Sequence, residues 1–125
     1  NTVSPETALR LKDAGFPQPE MKFGQVWADN GINLILTRIT KTTIGFDYDG
    51  GYFDRAKRFG FNDLAYCPII PDLLSELGEV TIRRIRTTDG YFYTVAKNVG
   101  DDTEITSDYE LAEALALMWE KINNL

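Results

Sequence analysis

Histidine is absent from the 125 residues, and cysteine occurs once, at Cys67. The first absence removes every Cys/His zinc site, Ser-His-Asp triad and Cys-His dyad; the second removes any intramolecular disulfide. Carboxylate, lysine, tyrosine or serine chemistry is what remains. No apolar run reaches the roughly 18 residues that span a bilayer, and residues 1–13 lack the charged and apolar regions of a secretory signal. No membrane association and a cytoplasmic location are therefore expected. Basic side chains are the minority, 13 against 19 acidic, for a net charge of -6. A surface of that sign repels a phosphate backbone, so duplex nucleic acid is not an expected partner. Phosphate loop, nucleophile elbow and dinucleotide fingerprint are all missing.

What is present suits a single α+β domain over residues 1–125. The chain is 43% hydrophobic, enough at this length to bury a core with no cofactor to hold it together. There is no internal repeat, low-complexity stretch or linker to divide it. Cys67, before a proline in "AYCPII", reads as a buried, inert thiol.

Helix and turn signals set the order of elements. Ser4 as N-cap, Pro5 at the first helical position and Gly15 as stop predict a helix over 5–14, burying Leu9 and Leu11. "DNG" between strand-favouring runs predicts a hairpin of 21–28 with 32–39, and alternating Ile44, Phe46 and Tyr48 predict a core-facing strand at 43–48. "FDRAKRFG" at 53–60 suits either a strand or a short helix. A helix at 71–77 should bury Leu73, Leu74 and Leu77, and a second hairpin is expected around Asp89 and Gly90. Ser107 and Glu110 form a capping-box pattern ahead of a helix whose stripe is Leu111, Leu115, Met118 and Ile122. Leu117 falls off that stripe, on the side of Glu110 and Asn124. The expected architecture is an antiparallel sheet of about five or six strands packed by N-terminal, central and C-terminal helices.

The stretch "FDYDGGYF" concentrates the candidate chemistry, with Asp47, Asp49 and Asp54 inside eight positions. Two hairpin registers compete. A turn centred on Gly50 and Gly51 sets Asp47 opposite Asp54; one centred on Asp49 and Gly50 sets Phe46 opposite Phe53 and Asp47 opposite Tyr52. Opposed carboxylates repel by roughly 1 to 3 kcal/mol, and an aromatic cross-strand pair gains up to about 1. Without a cation the aromatic register is expected, leaving no metal site and no catalytic residue there. An EF-hand reading fails because Tyr52 and Arg58 stand where that loop needs Gly and Glu.

Elsewhere, Arg83, Arg84 and Arg86 beside Tyr91, Phe92 and Tyr93 suggest stacking of single-stranded nucleic acid, but strand alternation puts Arg83 on the other face. A solvated strand with cation–π contacts is expected. Residues 98–125, with seven acidic side chains and one lysine, read as a soluble face. Phe23, Trp27, Phe46, Tyr48, Phe61, Tyr66 and Trp119 are expected in the core, with an aromatic ligand pocket as the alternative.

"SPETALRLKDAGF", "YCPIIPDLLSELG" and "SDYELAEALALMWEKI" together resemble a group of small uncharacterised phage or prophage proteins of gut Bacteroidetes. Ile69, Ile70 and Ser75 depart from that group's middle helix, where small and aromatic residues are usual. The resemblance implies an α+β fold and an intracellular accessory role, and carries no activity, cofactor or catalytic residue. The expected function is protein–protein interaction or self-association through Tyr109 and Leu117, without catalysis. Two rivals are a metal-dependent carboxylate enzyme at Asp47, Asp49 and Asp54, and a small-ligand binder with an aromatic pocket.

Overall fold

The computed structural model describes residues 2–124. Its class is α+β, with helices near the start, in the middle and at the end, and the strands among the described residues pair antiparallel. Among the described residues there are eight strands, shared between a five-stranded and a three-stranded sheet in place of one sheet of five or six. The chain divides into two compact units, Ser4–Cys67 and Pro68–Leu125 with the first three residues.

The first unit opens with α1 (Pro5–Asp13), where Ser4 Oγ accepts from the Thr7 backbone N–H at 3.2 Å and Gly15 turns the chain out at φ +95°. Leu11 is buried with Thr7 and Ala8, but Leu9, expected to be buried too, is 52% exposed. Two residues correspond to 200° of helix, so Leu9 and Leu11 cannot share a face. Strands β1 (Val26–Asp29) and β2 (Ile32–Ile39) meet at Asn30 and Gly31, both with positive φ, the turn whose twist matches antiparallel strands. β1 starts later than the expected residue 21. Gly24 adopts φ +89°, and the Gln25 side chain bonds the Lys22 N–H and the Glu20 carbonyl, holding 20–25 as a loop.

β3 (Thr43–Tyr48) and β4 (Gly51–Ala56) complete the meander in the aromatic register, Phe46 opposite Phe53 and Asp47 opposite Tyr52. The ambiguous 53–60 stretch is strand as far as Ala56, then one 3-10 turn at Lys57–Phe59 closed by Gly60. β5 (Ala65–Tyr66) pairs with β1, giving the order β4-β3-β2-β1-β5. Trp27, Leu34, Leu36, Ile44, Phe46 and Tyr66 form the core on one sheet face. Tyr48, at the strand's end, is 38% exposed rather than core-facing.

In the second unit, α2 (Ile70–Leu77) buries Leu73 and Leu77, while Leu74, expected with them, is half-buried. β6 (Thr81–Thr87), β7 (Gly90–Val99) and β8 (Asp102–Asp108) form a meander, and α3 (Leu111–Asn123) packs on β7, β8 and α2. β8 has no counterpart in the sequence reading, because "DTEITSD" alternates polar with polar and offers one aliphatic side chain, Ile105. Its presence removes the expected capping box. Ser107 is held in the ladder opposite Thr94, the helix starts from Glu110, and Asp108 Oδ1 accepts the Glu110 N–H at 3.0 Å. Leu115 and Met118 are fully buried, each worth about 1.5 to 3 kcal/mol of transfer free energy; Leu111 and Ile122, the other members of the stripe, are half-buried.

Candidate functional site

On the outer face of the five-stranded sheet, three strands bring one cation to two of the three aspartates. A register shift between Leu36 and Arg38 leaves Thr37 as an extra residue and sets Arg38 opposite Gly45. The Arg38 side chain crosses β3 at that glycine. Its Nη1 donates to Asp47 Oδ1 at 3.0 Å and to Thr37 Oγ1 at 3.1 Å, while its Nε donates to Asp54 Oδ1 at 3.1 Å. The guanidinium carbon lies 5.0 Å from the centre of the Tyr52 ring. A Cβ at Gly45 would run into the Arg38 and Asp54 head groups and lie 2.9 Å from Arg38 Cβ, so only glycine leaves room for the crossing. The bonds to Asp47 first and Asp54 second raise the Arg38 pKa above its ordinary value. Asp49 stands apart, exposed in the turn.

The aspartates are thus neither a bare acidic pair nor idle in water. Their charge is committed to one arginine on an open surface, which suits holding a sheet face and lacks the desolvation that tunes a general acid or base. Among the described residues, no three His, Cys, Asp or Glu side chains are grouped to hold a metal ion. A second pair, Arg55 with Asp63 at 2.7 Å, holds the Asp63 carboxyl below its ordinary range, chiefly by hydrogen bonding.

The second unit offers a different surface. Val95 is fully buried and Thr106 Oγ1 donates to the Ala114 carbonyl at 2.8 Å, so α3 covers the sheet face carrying those residues. Pairing of Ile85 with Phe92 and of Ser107 with Thr94 puts Phe92, Ile85 and Ile105 on the opposite face. There Ile105 is 57% and Tyr109 67% exposed, and the Tyr109 ring meets Phe92 edge-on with centroids 6.4 Å apart. A shallow groove beside them is lined by Phe92, Ser107, Asp108 and Tyr109. Tyr109, expected among helix positions, precedes α3; Leu117 is a half-buried helix residue outside that groove. The two expected contact residues are therefore not members of one groove, and the sequence reading missed Ile85, Phe92 and Ile105 as Tyr109's companions. Strand alternation alone would have found Ile85 and Phe92. On β6, Arg84 lies 4.3 Å over the Tyr91 ring, the expected cation–π strand.

Cys67 is buried, with Sγ 3.6 Å from Asn33 Oδ1. The aromatic side chains are dispersed: Phe46 and Tyr66 are core, Phe23 is 75% exposed, and Trp119 packs within α3's unit. Trp27 and Phe61 do share a cleft. No helix among the described residues is long and apolar enough to cross a membrane. No family model, curated protein or solved structure matches the chain, so the functional reading rests on this geometry.

Proposed function

We propose that the protein is a non-enzymatic module that acts by binding another protein through the open face of the β6–β8 sheet. The observation that carries this reading is Tyr109, two-thirds exposed while its ring rests on Phe92, with Ile105 exposed on the same face. An aliphatic side chain fixed in the ladder and a tyrosine ring resting on a strand phenylalanine bury much apolar area at little entropic cost when a partner covers them. Arg83 is exposed on β6 with the same strand parity as Ile85 and adds a hot-spot residue type to the rim. Arg38's occupation of Asp47 and Asp54 argues against the metal-dependent carboxylate enzyme. The phage-type resemblance of the helices makes an intracellular accessory role the matching biological setting.

Cross-linking in cells of the native host, followed by affinity purification, tests this. A specific partner should be recovered with the natural sequence and lost with the double substitution Ile105→Lys, Tyr109→Ser. Recovery of the same partner at the same yield by both proteins would refute the assignment of this face.

A further inference from the structure

We propose that a cleft in the Ser4–Cys67 unit binds a small carboxylic acid with an apolar body. The cleft is open to solvent, has a volume of about 310 Å³, at the small end of ligand sites, and lies wholly within this unit. Its floor is apolar: Trp27 and Leu64 are buried, and Met21 and Phe61 are half-buried. One cation lies on its wall. Lys12 Nζ donates to the backbone carbonyls of Asn62 and, at 2.7 Å, Leu64. An ammonium has three protons, so these two bonds fix its position and leave a third donor.

No carboxylate touches that ammonium among the described ion pairs: Asp63, the nearest in sequence, is bonded by Arg55 at 2.7 Å and feels the Lys12 charge only through space. Lys12 is therefore a cation held by neutral carbonyls beside an apolar floor. The ligand that satisfies both is amphipathic, an anion to meet the ammonium and a hydrophobic body to cover Trp27 and Leu64. Asn62, exposed, also lines the cleft, and its backbone carbonyl is one of the two that hold the ammonium. Inorganic phosphate would meet the charge and leave the floor wet. A neutral arene would cover the floor and offer the third ammonium proton no acceptor. Because the ammonium is already immobilised, little entropy is lost in aiming it.

Trp27 provides the readout. In Trp119→Phe protein it is the only indole, since the chain has two tryptophans. Naphthoic acid should change its emission saturably, with calorimetry on the natural sequence giving one site. Naphthamide, of the same shape without the charge, should bind about tenfold more weakly or worse, and Lys12→Met should weaken the acid by about the same factor while leaving the amide unchanged. Phosphate should not compete. The acid and amide comparison uses intact protein, so it stands even if Lys12→Met loosens the fold. Absence of saturable binding at millimolar acid, equal affinity for acid and amide, or competition by phosphate would each overturn the proposal.

Discussion

Phe46 and Phe53 face each other across the β3–β4 ladder with ring centroids 5.5 Å apart, and that register sets Asp47 and Asp54 on the opposite sheet face. A one-residue slip would exchange the two faces. With Phe46 fully buried, Phe46→Ala should cost about 3 to 5 kcal/mol. A double-mutant cycle with Phe53→Ala, followed by urea melts, should return a coupling of about 0.5 to 1.5 kcal/mol. Additive costs would mean that the pair does not select the register.

Gly45 occupies the crossing point of Arg38 over β3. Gly45→Ala should destabilise the protein by about 1 to 3 kcal/mol, because Arg38 Cβ and the guanidinium must both move. The penalty should shrink when Arg38→Ala is made in the same chain, since the space then opens. A penalty unchanged by Arg38→Ala would place the strain in the backbone and not at the crossing.

Magnesium, manganese or calcium at millimolar concentration should leave the melting temperature unmoved. A cation bound at a hundred times its dissociation constant would add about 2.7 kcal/mol, several degrees for a chain of this size. To occupy the Asp47 and Asp54 oxygens it would have to displace Arg38 from both. A rise of several degrees that Asp47→Asn abolishes would restore the metal-dependent carboxylate reading.

Asp63 gives the expected pH dependence. Its folded-state pKa lies below the ordinary value of 3.8, mainly through the hydrogen bond from Arg55. The resulting stabilisation is fully present above the unfolded-state value and is lost as pH falls through the folded one. The raised Arg55 pKa acts only in strong alkali and does not enter this window. Because the carboxylate is 54% exposed, solvent screens the pair, and Asp63→Asn should cost only about 0.2 to 1 kcal/mol at pH 7. Denaturant melts of the two proteins should converge as the pH is taken from 5 to about 2. A gap that persists at the acid end would mean that the asparagine acts through packing.

Local signals were readable wherever one residue's chemistry sets one conformation. Ser4, Asn30 with Gly31, and the Asp49–Gly50 turn carry their own caps and φ angles, and α1, β2, β3 and the two turns form at or near the expected bounds, whereas β1 begins five residues late. Long-range choices were not. Nothing in "LILTRIT" announces the bulge at Thr37, yet that extra residue brings Arg38 to Gly45 and between the two aspartates. β8 escaped because its stability comes from the ladder with β7 and its alternating side chains are Glu104, Thr106 and Asp108 toward α3. Once it pairs, Ser107 cannot cap a helix. The division into two sheets likewise depends on which strands find partners, which periodicity within each strand does not encode.

The open face of β6–β8 should be energetically quiet in the isolated chain. Ile105 and Tyr109 are more than half exposed, so Ile105→Thr and Tyr109→Ser should each change stability by no more than about 0.5 kcal/mol. Leu115→Ala, made on the fully buried side of α3, should cost about 2 to 5 kcal/mol. The contrast matters because side chains kept exposed for a partner contribute to binding and not to folding. If Ile105→Thr and Tyr109→Ser proved as costly as Leu115→Ala in urea melts, the face would be structural, and any binding lost in the double substitution would report unfolding.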